Sequence, residues 1–253
     1  MQFKVSFATD VGRKRTQNQD NLLALPQIGL FAVADGMGGH LGGETASTMA
    51  IQIIADRVLE AQKHPDWDPR TAMTKAILGA NSAIFNRACK DASLQGMGTT
   101  TTALLFKNDR VVIGHVGDSR CYYLVPTVIW QATRDHSLVQ EKLRAGLISR
   151  TEARNDPMKN VITRSVGFEP AIEVEIYEMS PRIGDTFMLC SDGLSAMVDD
   201  TTIQGVINRN VFDLNNTEDA VRELIQTANN NGGDDNITTI IVRLNNNEDE
   251  VTQ

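Results

Sequence analysis

The sequence predicts an α+β protein in which mostly antiparallel sheets are covered by helices. Strand-like runs follow one another through turn signals, as in residues 99–106, the polar turn 107–110 and residues 111–116. Helical patterns come in groups and do not alternate one-for-one with strands, which argues against a doubly wound parallel sheet. No internal repeat, Pro/Ser-rich linker or low-complexity block divides the 253 residues, a length one domain can carry. Residues 1–244 are therefore expected to form a single domain.

Near the start, Phe3, Val5 and Phe7 alternate with polar residues, the pattern of a half-buried strand. Asp10-Val11-Gly12 turns this strand into the polar stretch 13–20, and a second strand follows at 22–25. Residues 28–34 are mostly apolar and partly β-branched, as in a strand buried on both faces. The run ends in Asp35-Gly36-Met37-Gly38-Gly39-His40, so the strand delivers a carboxylate to its end. Gly36, Gly38 and Gly39 permit positive φ and close approach of the backbone to an ion or substrate. A carboxylate, an exposed carbonyl and an imidazole suit a hard divalent cation with a titratable group beside it. Taken alone, a tight glycine turn with a solvated Asp accounts for the stretch equally well.

Residues 43–62 repeat Ala46, Met49, Ala50, Ile53, Ile54, Val58 and Ala61 at helical spacing, and Pro65 closes the segment. Asp68 is placed as an N-cap with Pro69 at the first helical position. The helix that follows carries Met73, Ala76, Ile77, Ala80, Ile84 and Ala88 on one face. These two helices read as a layer lying on a sheet. Strands are expected at 119–125 and 127–132, then a helix at 137–145 ended by Gly146. Residues 144–157 are polar and irregular, with one helical turn near 151–154, and belong to a flap spanning about 138–166. Strands at 172–179 and 186–191, helices at 200–209 and 217–231, and a strand at 237–244 complete the order. Residues 245–253 are polar and acidic and are expected to be disordered.

A net charge of -8 and the lack of a dense Lys/Arg cluster argue against a nucleic-acid surface and are compatible with cation binding. The first residues lack the apolar stretch of a signal peptide, and no window approaches the ~20 apolar residues that span a bilayer. No membrane association and a cytoplasmic location are expected. Cys89, Cys121 and Cys190 are odd in number and form no CxxC pair, so each reads as a small core hydrophobe.

The strand-end acid recurs in Val116-Gly117-Asp118-Ser119, in Leu189-Cys190-Ser191-Asp192-Gly193 and in Gly232-Gly233-Asp234-Asp235-Asn236-Ile237-Thr238. One Asp beside Gly is usually a turn former. Four weaken that reading, because converging carboxylates in a low-dielectric pocket repel one another and need a cation to stay ionised. All-oxygen ligation points to Mg²⁺ or Mn²⁺ over Zn²⁺.

These motifs match a known family. Together with Arg15-Thr16-Gln17-Asn18-Gln19-Asp20, Gly98-Thr99-Thr100, Arg134-Asp135-His136-Ser137 and Asn160-Val161-Ile162-Thr163-Arg164, they resemble, in order, the metal-dependent Ser/Thr protein phosphatases of type 2C, the PPM family, in their bacterial form. The resemblance implies a four-layer α-β-β-α sandwich with metals at one end and a flap near the active site. It implies that Asp35 bridges two Mn²⁺ or Mg²⁺ ions, that the Gly36 carbonyl binds one, and that Asp192 and Asp235 hold the other. Asp20 joins this acidic set and would orient a metal-bound water or Arg15, while Asp118 would recruit a third, weaker ion. Arg15 would grip the phosphate through its guanidinium fork. The ions, roughly 3.5–4 Å apart, would place a bridging hydroxide in line with phosphorus. His40 is the candidate general acid by sequence position, and His136 sits in a motif that reads as a structural corner.

The expected activity is hydrolysis of phosphoserine and phosphothreonine in proteins by a monomer opposing a cognate Ser/Thr kinase. Three departures stand out. Ala196 occupies the place of an acid often found with the third metal, Asp156-Pro157 replaces a His-Pro, and Gln19 stands where many members have Glu. A catalytically silent phosphoprotein-binding module and a hydrolase of small phosphoesters are the competing readings.

Overall fold

The structure, a computed structural model, describes residues 1–245, apart from the side chains of His40, Arg150, Arg154 and Asn155. The chain opens with strands β1 (Gln2–Asp10), β2 (Asp20–Leu25) and β3 (Leu30–Met37). Helices α1 (Gly39–Gln62) and α2 (Pro69–Lys90) follow. Then come β4 (Gly98–Thr99), β5 (Thr101–Lys107), β6 (Arg110–Val116), β7 (Arg120–Val125) and β8 (Val128–Gln131). Two short helices, α3 (Leu138–Arg144) and α4 (Arg150–Asn155), precede β9 (Glu175–Met179) and β10 (Thr186–Cys190). Helices α5 (Asp192–Ser195), α6 (Asp200–Ile207) and α7 (Thr217–Asn230) lead to β11 (Ile237–Asn245).

One sheet runs β2-β3-β5-β6-β9, with β4 added to β3; the other runs β1-β11-β10-β7-β8, and every pairing is antiparallel. Period-two alternation explains why two sheets need four layers. In β3, Leu30, Ala32 and Ala34 enter a core shared with Ile54, Met73 and Ile77 of α1 and α2. Its neighbours Phe31 and Val33 point the other way, against Phe187, Leu189, Ile240 and Val242 of the second sheet. Met188 and Ile241 of that second sheet in turn pack on Ile203, Val221 and Leu224 of α6 and α7. Between the sheets, Phe3, Phe31, Phe106 and Phe187 pack edge-on or tilted, with centroids 4.8–6.0 Å apart.

Several boundaries differ from expectation. Ile28 belongs to a 3₁₀ turn, Pro26–Ile28, closed by left-handed Gly29, so β3 begins at Leu30. Helix α1 begins at Gly39, four residues earlier than the periodicity indicates, because its first turn is glycine-rich and carries no apolar repeat. Strand β9 begins at Glu175; Ile172 and Val174 pack on the first core from outside it. Helix α6 continues into a π-helical turn, Asn208–Asp213. Asn245 pairs with Gln2 at the end of β11, and the remainder of the expected acidic tail lies outside the described residues.

Residues 138–166, expected from the sequence to form a flap, carry both short helices. Ser149 and Glu152 form a capping box at the start of α4. Asp156, the departure noted in the sequence, forms an ion pair with Lys142 at 2.9 Å and accepts from the Met158 amide. Among the described residues, no helix is long and apolar enough to cross a membrane.

Candidate active site

The strand-end acids converge because both sheets end at the same edge of the sandwich. Asp35, Asp118, Asp192 and Asp235 line one cleft of 570 Å³, together with Arg15, Gly36, Asn160, Ile162 and Asn236. Asp20 stands behind this lining. It lies directly across from Asp35 in the β2–β3 ladder, and its Oδ2 accepts from Ser191 Oγ and Thr238 Oγ1, each at 2.7 Å, from the opposite sheet.

Backbone bonds hold Asp35 in place. Its amide donates to Thr100 Oγ1, and its carbonyl accepts from the Thr100 amide and from Thr99 Oγ1, at 2.8–2.9 Å. The Gly98-Thr99-Thr100 motif therefore clamps the strand end that carries the acid. Gly36 is required by space. A Cβ there would overlap the Gly43 carbonyl oxygen and approach the Gln19 carbonyl oxygen to 2.7 Å, whereas positive φ belongs to Gly38 and Gly39.

Arg15 donates to Asp235 Oδ2 at 2.8 Å across 220 residues of sequence. The loop that presents Arg15 is tied down by Asn236, a residue to which the sequence assigned no role of its own. Its Nδ2 donates to the carbonyls of Val11 and Gln17, and its Oδ1 accepts from the Gln19 amide. Its position beside Asp235 was the available signal. Gln19 donates to the Gly39 carbonyl at 2.7 Å. The side chain of His40, the candidate general acid, lies outside the described residues.

Electrostatically the site is under tension. Burial pushes the Asp35 carboxyl well above its ordinary range, with the charges of Asp20, Asp192 and Asp118 adding to the effect. Burial raises Asp118 to about 8, with Asp192 and Asp135 contributing, and it raises Asp192, with Asp235 contributing. Asp20 is raised to about 7 by burial, despite the hydroxyls of Thr238 and Ser191. The Oδ1 atoms of Asp20, Asp118 and Asp192 are buried without a hydrogen-bond partner. Among the described residues no three His, Cys, Asp or Glu side chains already stand at the spacing of a formed metal site. Orphaned carboxylate oxygens, all-oxygen chemistry and acids that burial drives to take up protons nevertheless fit a hard divalent cation, which would hold them ionised.

A family model described as Protein phosphatase 2C matches residues 11–241. Among curated proteins, a serine/threonine phosphatase, stp, of Listeria monocytogenes is 40% identical over 210 residues, which cover 79% of this chain and 81% of that protein. Among solved structures, the Mycobacterium tuberculosis serine/threonine phosphatase PstP/Ppp superimposes with a TM-score of 0.88 at 33% identity, covering 97% of this chain and 100% of that one. The catalytic domain of PstP in complex with two manganese ions superimposes with a TM-score of 0.85 at 33% identity, covering 96% and 99%.

Proposed function

This chain belongs to the protein phosphatase 2C family and is a serine/threonine phosphatase, and from that premise we propose that its cleft hydrolyses phosphoserine and phosphothreonine in proteins through the residues gathered there, opposing a Ser/Thr kinase. The observation that carries the assignment of the site is the meeting of four strand-end acids with Arg15 in one cleft, two of those acids, Asp118 and Asp192, each having a buried, unpartnered oxygen.

Asp35, the Gly36 carbonyl, Asp192 and Asp235 would hold two Mn²⁺ or Mg²⁺ ions, and Asp118 a third, with Asp20 supporting Asp35 from behind. When bound, such ions supply an activated water at neutral pH and offset charge on the phosphate. Arg15, which holds Asp235 here, would take up the phosphate oxygens, its planar fork matching a tetrahedral anion. Asn236 would keep Arg15 at the height of the acids. The alkoxide leaving group needs a proton, and we assign its donation to His40 on its place in the chain. A monomeric protein in the cytoplasm accords with this reading.

Phosphate release from a phosphothreonine peptide, measured with Mn²⁺, Mg²⁺ and EDTA alongside Asp192→Ala, tests the assignment. Turnover that depends on metal and is abolished in Asp192→Ala is expected. A folded protein that is inactive with both metals would favour a phosphoprotein-binding module, and activity confined to small phosphoesters would favour the other competing reading.

A further inference from the structure

We propose that His136 is a positioning residue for the reaction, acting through the loop that carries Asp118; this rests on the phosphatase reading of the cleft. The side chain of His136 is buried and lies outside the lining of the acidic cleft, facing a separate pocket of 310 Å³ with Arg134, Gln140, Arg164 and Glu175, so it stands away from the acids and acts through the loop it holds. It grips Gly117, the residue before Asp118, at two points. The His136 amide donates to the Gly117 carbonyl at 2.7 Å, and the Gly117 amide donates to His136 Nδ1 at 3.1 Å. Gly117 sits at φ +110, a conformation that few side-chain-bearing residues adopt, so the loop depends on outside bonds to keep its shape.

The same residue holds the opposite wall. The His136 carbonyl accepts from the Thr163 amide at 2.8 Å, Ser137 bridges to Ile162, and the Leu138 amide donates to the Val161 carbonyl. Asn160 and Ile162 of that segment line the cleft, as does Asp118. One buried residue thus joins the loop that carries Asp118 to the segment facing it.

Because Nδ1 accepts from an amide, the ring proton belongs on Nε2, which points toward Glu175 Oε1 at 3.3 Å, off the line of a good hydrogen bond. Glu175 also accepts from Tyr177. The ring lies against that of His115, with centroids 4.8 Å apart. The grip on Gly117 therefore needs an acceptor at the Nδ1 position, while the Nε2 side is the weaker contact.

Two substitutions separate these functions. Asparagine places an oxygen near the Nδ1 position and has nothing at Nε2, and glutamine does the reverse. His136→Asn should retain kcat/KM within about threefold of the wild type, whereas His136→Gln and His136→Ala should lose about tenfold, chiefly in kcat. In an Asp118→Asn background the His136→Gln loss should largely vanish, because its path runs through Asp118. Hydrogen exchange at the Gly117 amide should be slow in the wild type and His136→Asn and fast in His136→Gln, a readout independent of turnover. Equal losses in the Asn and Gln variants, or a Gln loss undiminished beside Asp118→Asn, would overturn the proposal, as would unchanged Gly117 exchange. If His136→Ala does not fold, the Asn and Gln pair still decides. An inactive wild type would count against the phosphatase reading, and the exchange comparison would still judge the clamp.

Discussion

Asp20 and Asp35 face each other as a cross-strand pair at the ends of β2 and β3, with the Asp20 carboxylate turned toward Ser191 and Thr238 of the other sheet. Two acids in this register repel when both are charged. The two hydroxyls favour the ionised form of Asp20, yet burial outweighs them and raises its pKa. Burial therefore favours the protonated form of Asp20 at the place where cations, which favour the ionised form, are expected to bind.

The first prediction follows from that arrangement. The folded-state pKa of Asp20, about 7, lies above its ordinary 3.8, so the metal-free folded state holds a proton that the unfolded chain has released. Its contribution to stability is then present at low pH and lost as pH rises from about 4 to about 7. Mn²⁺, which favours the ionised acids, should raise the melting temperature more at pH 8 than at pH 6. A hundredfold excess over Kd corresponds to about 2.7 kcal/mol. Thermal melts with Mn²⁺ and with EDTA at both pH values check this, and a metal effect that is larger at pH 6 would contradict it.

Arg15→Ala removes a charged donor that the phosphate would use. Bonds to charged groups are worth roughly 1.5–3 kcal/mol, so kcat/KM should fall by about 10- to 100-fold. Because Arg15 also bonds Asp235, Mn²⁺ should bind the variant at least as tightly as the wild type. Calorimetry with Mn²⁺, next to steady-state kinetics, separates the two effects; weakened metal binding would show that Arg15 supports the metal site.

Gly36→Ala should lower both activity and stability. The added Cβ has backbone oxygens of Gly43 and Gln19 in its way, and relieving that overlap must move the strand end that carries Asp35. Overpacking of this kind costs roughly 1–3 kcal/mol. Urea denaturation and phosphopeptide turnover measure the two losses, and a variant with wild-type values of both would refute the steric argument.

His115 sets an acid-side limit on stability. It is fully buried, its Nε2 contacts the Arg134 carbonyl at 2.8 Å and its Nδ1 lies 2.9 Å from Thr102 Oγ1. Burial, with His136 beside it, lowers its pKa to about 4, while the unfolded chain titrates near the ordinary 6.5. The unfolded state thus binds the extra proton first, and stability falls as pH drops from about 6.5 to about 4, by on the order of 3 kcal/mol. His115→Gln should show a shallower decline over that window in denaturant titrations.

Much of this was legible in the sequence because short-range physics decides it. Alternation in β3, helical spacing in α1 and α2, and the Asp68-Pro69 start of α2, where Asp68 caps the Thr71 amide, all follow from local periodicity and capping. Asp next to Gly at four strand ends marked the acids before any fold was known, and an ordered set of weak motifs pointed to the family. Boundaries failed where glycine or a 3₁₀ turn replaced the apolar repeat, as at Gly39 and Ile28.

What only the tertiary structure decided are the relationships across long separations. Nothing local indicates that Asp20 is bonded by Ser191 and Thr238, that Asn236 ties residues 11, 17 and 19, or that Arg15 reaches Asp235. Each depends on how two sheets stack and on which side-chain torsions the shared edge allows. The sequence by itself determined which residues arrive at that edge, since strand period and turn chemistry are local. Their burial, and with it the raised pKa values of Asp20, Asp35, Asp118 and Asp192, is a property of the closed sandwich, because desolvation is set by surrounding atoms contributed from distant parts of the chain.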